Sequence, residues 1–276
     1  MKKITLFLCL GLAGFSALAQ NTPNVFGRKV QSINPKTRIV RCVSSEYESF
    51  LQEKDEKRAT TQEFEEWLAP KTEAIKSKLI AKRGIEGTNA VITIPVVVHV
   101  IHSGQNVGSG MNISNARVLS QITVLNQDFR KMLGTPGYNT NPVGADVEIQ
   151  FCMAQVDPNG NPTTGINRVN LGVSEWDENS IETILKPETI WDSSKYYNIW
   201  VCQFGFDLDG VLGYAQFPGS SGLQGLQGPY TANTDGVIID WRAFGSSDFA
   251  GAGGSYYPDI NKGRTTTHET GHFLGL

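Results

Sequence analysis

The sequence has no excess of positive charge, no long hydrophobic segment, and few histidines and cysteines. Its 276 residues carry a net charge of -3, which argues against the basic surface typical of nucleic-acid-binding proteins and against a polybasic membrane patch. No apolar run approaches the roughly 20 residues needed to span a bilayer. We therefore expect neither nucleic acid nor a membrane span. Only four histidines are present, so a histidine pair at metal-ligand spacing is informative.

The N-terminus has the features of a secretory signal peptide. Lys2 and Lys3 supply the basic start, residues 4–12 form a short apolar run, and Ala17-Leu18-Ala19 provides a small-residue cleavage site. We predict a signal peptide over residues 1–19 and a secreted protein.

Three cysteines remain after this signal is removed, namely Cys42, Cys152 and Cys202. An odd number in an exported protein leaves at least one thiol unpaired or with a function of its own. Cys152 and Cys202 lie in strand-like segments that could be neighbours, so the sequence leaves open both a disulfide and two buried thiols.

Residues 20–89 differ in composition from the rest of the chain. Residues 52–83 are rich in Lys, Glu and Arg, and apolar side chains such as Phe64, Trp67 and Leu79 recur at roughly helical spacing. This pattern predicts one or two amphipathic helices with a break at Ala69-Pro70. The polar stretch 82–89 is typical of an exposed linker.

From residue 90 the pattern is that of an α/β domain. Residues 91–101 are nearly all β-branched, as in a strand buried on both faces, and Ser114 can cap a following amphipathic helix. Further strands are predicted over residues 147–156, 197–203, 213–217 and 237–241. A last helix begins near Arg264.

The final segment contains the chemistry-bearing motif His268-Glu269-Thr270-Gly271-His272. Positions four apart share one helix face, so His268 and His272 can bind one zinc ion. Glu269 is placed to act as general base and general acid for a metal-activated water. Gly275 stands three residues after His272, as the longer metzincin motif HExxHxxGxxH requires. A chance histidine pair on a polar helix is the competing interpretation.

The metzincin pattern places its third histidine at position 278, beyond residue 276. Two histidines leave zinc half-ligated, because a catalytic site uses three protein ligands plus water. We therefore expect the chain as given to be inactive by itself.

The chain resembles the pappalysins, the pregnancy-associated plasma protein-A family of metzincin peptidases, and its bacterial members above all. The resemblance covers residues 94–276 and rests on segment 263–276, PVVVHV at 95–100, residues 121–129, NIWVC at 198–202 and LGYAQFP at 212–218. It implies the N-terminal subdomain of a metzincin zincin of mixed α/β (α+β) class, with a twisted five-stranded mixed sheet, a backing helix and an active-site helix. Gly213, Tyr214 and Ala215 would form the edge strand that pairs with an extended substrate. Zinc is the implied cofactor, and calcium is left open because no site can be identified.

Cys42 resembles the latency cysteine of bacterial pappalysin pro-segments, although Val43 follows it where glycine is often found. A thiolate on zinc would displace the catalytic water, so residues 20–89 would be a helical pro-segment acting as an intramolecular inhibitor. The alternative is an incidental free thiol.

These features predict a secreted zinc endopeptidase precursor acting on proteins or peptides, with residues 90–276 as the N-terminal part of its catalytic domain. The alternative is a non-catalytic peptide-binding protein or pseudoenzyme with a degenerate metal site. His99 and His102, on or just after the first apolar strand, are interpreted as structural residues.

Overall fold

The computed structural model describes residues 23–30, 32–82, 91–218 and 233–276. The predicted signal peptide and nearly all of the predicted linker lie outside these residues. No helix within the described part of the chain combines the length and the apolar character needed to cross a membrane.

A mixed sheet forms the centre of the domain. Its strand order is β4-β3-β6-β8-β7, and β5 pairs with β3 beyond the end of β4. All pairs are parallel except β7 with β8, which are antiparallel. The strands are β3 (Ile92–His102), β4 (Ile149–Met153), β5 (Ile166–Asn170), β6 (Tyr197–Cys202), β7 (Gly213–Ala215) and β8 (Val237–Asp240), while β1 (Asn24–Val25) and β2 (Arg28–Lys29) form a separate hairpin.

The predicted mixed fold is confirmed. All five strands predicted from the apolar runs are present, and they form the main path of the sheet. The sixth strand, β5, was not predicted because it is short, only partly buried and lacks a regular alternation of apolar and polar residues. Strand β7 is the last strand in the sheet order, which is the edge position that the resemblance implies for the substrate-binding strand.

Helix α3 (Asn115–Phe129) covers one face of the sheet. The Ser114 side chain caps it by accepting a hydrogen bond from the Arg117 backbone N–H, as the sequence predicts. Val118, Ile122 and Leu125 then pack on the β3 side chains that face the same side. This buried layer supports the last helix, α6, described below.

A second apolar layer covers the opposite face. It combines side chains of β6, β7 and β8 with those of the N-terminal segment, residues 23–82. The helices here are α1 (Ser44–Lys54) and α4 (Glu178–Ser180), which continues through a π-helical turn (Ile181–Leu185) into α5 (Lys186–Thr189). Helix α2 (Thr61–Lys82) packs in a smaller cluster instead, where Phe64 and Trp67 lie against Phe217.

The predicted helix break at Ala69-Pro70 is wrong, because α2 continues through Pro70. Proline removes one backbone hydrogen bond, here to the Glu66 carbonyl. Glu66 is exposed, so solvent can satisfy that carbonyl.

The disulfide left open between Cys152 and Cys202 does not form, and both thiols are free. Cys152 is an exposed residue of β4 and Cys202 a buried residue of β6. Strand β3 lies between these two strands, which keeps the thiols apart.

Candidate metal and catalytic site

The last helix, α6 (Arg264–Phe273), carries the histidine motif and is held by α3. The Gln121 side chain donates a hydrogen bond to the Gly263 carbonyl at 2.9 Å, just before α6 begins. Gly263 has a left-handed φ of 72°, and a Cβ there would lie 3.1 Å from Gln121 Nε2, so glycine suits both the turn and the close approach. Thr267 Oγ1 adds a hydrogen bond of 2.7 Å to Asp128 Oδ2.

The predicted metal ligands face each other across one turn of α6. The Nε2 atoms of His268 and His272 are 3.1 Å apart. Two nitrogens at zinc-ligand distance from one tetrahedral ion would be separated by about 3.3 Å. His272 Nδ1 lies 3.0 Å from the Leu276 backbone oxygen, which can only accept, so the ring proton resides on Nδ1 and leaves the Nε2 lone pair available.

Electrostatics favour neutral imidazole at this position. Burial lowers the pKa of His268, and the charges of His272 and Arg41 lower it further. Metals bind the neutral ring, so this shift suits a ligand.

Glu269 lies beside the histidines and is completely buried. Its Oε2 accepts a hydrogen bond of 2.9 Å from the Ser44 hydroxyl, whereas Oε1 is buried with no hydrogen-bond partner among the described residues. Burial raises the pKa of this carboxyl well above its ordinary value, and the charge of Cys42 raises it further. An unpartnered buried oxygen is costly, and it fits a group that exchanges protons with a bound water.

Cys42 completes the cluster from the N-terminal segment. One ligand atom each of Cys42, His268, Glu269 and His272 lies within 4.8 Å of the others. Cys42 Sγ is 3.4 Å from Glu269 Oε2. The two histidines, a thiol and a buried carboxylate form a donor set that fits zinc.

The outer edge of β7 is covered by the N-terminal segment. The Leu212 N–H donates to the Val40 carbonyl and the Val40 N–H donates to the Gly210 carbonyl, each at 2.9 Å. This short contact is parallel in direction. Further along, the Val43 N–H donates to the Gly213 carbonyl at 3.4 Å, so the strand that the resemblance assigns to substrate (Gly213, Tyr214 and Ala215) contacts the chain's own residues.

Ser44 is a site residue that sequence reasoning missed. Its hydroxyl donates to Glu269 Oε2 and accepts from the Ala215 backbone N–H at 2.9 Å. One side chain thus contacts both the candidate general base and the edge strand. Its position two residues after Cys42 was the only available indication.

Gly213 permits the close approach of β7 to α6. A Cβ on Gly213 would lie 2.9 Å from the Ile238 carbonyl oxygen and 3.2 Å from Glu269 Cγ. We expect Gly213→Ala to lower the free energy of unfolding by about 1–3 kcal/mol, because the added methyl overpacks this junction.

Chemical denaturation would measure this effect, with Gly253→Ala as the matched control. A Cβ on Gly253 would meet no atom within 4 Å. Equal stability changes in the two variants would contradict the steric explanation.

His99 and His102 are not part of the cluster. His99 is buried between Asn198 and Asn167, and its ring stacks on Trp200 with 5.2 Å between centroids. Burial lowers the pKa of His99 to about 4. His102 accepts a hydrogen bond from the Gly104 backbone N–H. Both are structural residues, as predicted.

The chain is similar to known metallopeptidases. It matches mature mirolysin of Tannerella forsythia, solved with a cleaved peptide, with 38% identity and a TM-score of 0.55 over 68% of this chain and 65% of that one. A variant of Tannerella forsythia promirolysin matches with 36% identity and a TM-score of 0.55, over 68% of this chain and 57% of that one.

Curated relatives of the chain are also named as metalloproteases. An extracellular metalloprotease of Verticillium alfalfae is 29% identical over 203 residues, which is 74% of this chain and 57% of that protein. One of Colletotrichum graminicola is 28% identical over 187 residues, which is 68% of this chain and 51% of that protein. The chain thus spans little more than half the length of these relatives. No family model matches it.

Proposed function

We propose that this chain, a relative of the metallopeptidase mirolysin in sequence and in fold, is part of a secreted zinc endopeptidase precursor. The observation that carries the proposal is the pair of imidazole Nε2 atoms 3.1 Å apart beside the buried carboxylate of Glu269. The relatives named as extracellular metalloproteases support both the reaction class and secretion.

Each side chain has a distinct role in the proposed reaction. His268 and His272 would hold zinc, which supplies Lewis-acid polarisation and acidifies a bound water. Glu269 would take the proton of the attacking water and return it to the departing amine of the peptide. Its burial and raised pKa suit the stage between the two transfers, in which the group holds that proton.

Substrate would bind along the outer edge of β7. An extended peptide can form main-chain hydrogen bonds with Gly213 and Ala215 and so add a strand to the sheet. The structure of mirolysin with a cleaved peptide supports peptides as the substrate class.

Residues 20–89 would act as the pro-segment and residues 90–276 as part of the catalytic domain. In the described residues this segment covers the edge of β7 and brings Cys42 to the histidines. A thiolate ligand there would exclude the catalytic water. The promirolysin neighbour supports a zymogen. We propose zinc as the cofactor and assign no calcium site.

Metal removal tests this function. A chelator should abolish hydrolysis of a denatured protein by the activated full-length protein, and zinc should restore it. His272→Ala should lower zinc affinity by more than the roughly 10–100-fold that loss of an outer-sphere partner costs.

His102→Ala is the matched control, because His102 lies outside the cluster. Zinc content should be measured by elemental analysis after dialysis. Unchanged zinc content in His272→Ala, or activity that resists chelation, would contradict the proposal.

A further inference from the structure

Tyr47 of α1 enters a pocket on the catalytic domain. The side chain is 1% exposed, and its ring centroid lies 5.0 Å from that of Tyr214. Its hydroxyl bonds the Glu182 carboxylate and lies 3.0 Å from Gln216 Oε1. Tyr47, a residue of the proposed pro-segment, therefore contacts this pocket both through its aromatic ring and through hydrogen bonds of its hydroxyl.

The pocket contains an ion pair between Glu182 and Lys186. Glu182 Oε1 accepts hydrogen bonds from the Tyr214 hydroxyl at 2.7 Å and from Lys186 Nζ at 2.6 Å. Lys186 is completely buried, and its ammonium lies 4.7 Å from the Tyr214 ring centroid. The ion pair with Lys186 engages Glu182 Oε1, and Glu182 Oε2 accepts the hydrogen bond of the Tyr47 phenol.

This pocket lies on the other face of β7 from the metal cluster. Side chains alternate along a strand, and a Cβ on Gly213 would point to Glu269. Tyr214 points the opposite way, into the layer that contains Tyr47. The first turn of α1 therefore contacts both faces, with Ser44 on the Glu269 side and Tyr47 on the pocket side.

A cavity of about 430 Å³, lined in part by Glu178 and Thr183, lies beside Tyr47. Phe26 is the other buried aromatic residue here, with its ring centroid 4.8 Å from that of Tyr47. Apolar side chains of the N-terminal segment, such as Val40 and Leu51, also pack on this face, and Tyr47 adds a side-chain hydrogen bond to it.

We propose that Glu182, Lys186, Tyr214 and Gln216 form a tyrosine-binding site that retains the pro-segment through Tyr47, independently of Cys42. The proposal rests on the proposed function only in treating residues 20–89 as a removable segment. Its ligand class is a peptide that presents a tyrosine side chain. Release of the thiol from the metal would then leave the segment attached.

Hydrogen–deuterium exchange of α1 in the full-length precursor tests this site without any need for peptidase activity. Tyr47→Phe removes one hydrogen bond to a charged acceptor, so exchange of the α1 amides should rise roughly tenfold or more. Tyr196→Phe is the matched control, because that hydroxyl bonds the Val156 carbonyl elsewhere. Glu182→Gln should act like Tyr47→Phe, because Glu182 accepts the hydrogen bond of the Tyr47 hydroxyl. Exchange rates in Tyr47→Phe equal to wild type would overturn the proposal.

A second measurement separates the pocket from the metal site. A synthetic peptide of residues 38–54 should bind the activated full-length enzyme with its metal chelated, as measured by fluorescence anisotropy. The Tyr47→Phe peptide should bind roughly tenfold or more weakly, whereas the Cys42→Ala peptide should bind as the unmodified peptide does. Equal binding of the Tyr47→Phe and unmodified peptides would overturn the proposal, whether or not the protein is a peptidase.

Discussion

Glu269→Ala should abolish peptide hydrolysis by the activated full-length protein and leave its zinc in place. The carboxylate is completely buried, and one of its oxygens has no partner, so no described side chain is placed to replace it. General acid–base groups contribute about 10²–10⁴-fold, and the loss should reach or exceed the upper value if Glu269 acts in both proton transfers. His268 and His272 remain, so the proposed metal ligands of the described chain are intact.

Glu188→Ala provides the matched control, because Glu188 is an exposed residue of α5. Turnover of a denatured protein and zinc content should be measured for both variants. Undiminished turnover in Glu269→Ala would exclude the proposed acid–base role. Loss of zinc together with activity would indicate that Glu269 is a ligand.

The sequence predicted those elements whose signature is local. Residues 96–101 are continuously buried in β3, and their run of β-branched residues, interrupted only by His99, indicated this directly. The helix α3 was equally clear, because Ser114 caps a regular apolar stripe. Strand β5 was missed because Asn167, Arg168 and Asn170 bind partners at the sheet edge and give no strand pattern.

The proposed metal ligands were also a local feature of the sequence. His268 and His272 are one helical turn apart, so their approach follows from helix geometry alone. Ser44 and Glu269 are 225 positions apart, and only the path of the N-terminal segment along β7 brings them together. Spacing in the sequence contains no information on such a contact.

The buried ion pair of Lys186 and Glu182 could not be predicted from the sequence either. Lys186 is surrounded by aromatic rings and paired with Glu182, whereas lysine is almost never fully buried without a partner. Its partner is four residues earlier on the same helical stretch, a spacing that is equally common on solvent-exposed helices. Burial of this pair depends on α1 and β7, which are distant in the sequence.

Cys42→Ala should make the full-length precursor active before any cleavage, or shorten the lag before it processes itself. Cys42 Sγ lies with His268 and His272 in one cluster, where a thiolate would occupy the position of the catalytic water. Structural zinc sites bind with about 10–16 kcal/mol in total, so one thiolate contributes a few kcal/mol. Its loss should raise the activity of the uncut precursor by about 10–100-fold.

Cys152→Ala is the matched control, because Cys152 is a free and exposed thiol on β4. The activity of uncut precursor should be followed from the start of incubation. Electrophoresis of the same samples would show when the first cleavage occurs. Ser44 still contacts Glu269 and Ala215 in Cys42→Ala, so the increase should remain below the activity of the fully processed enzyme. Equal lag times for the wild-type, Cys42→Ala and Cys152→Ala precursors would show that the thiol is incidental, and that latency depends on the hydrogen bonds of Ser44 and the occupied edge of β7.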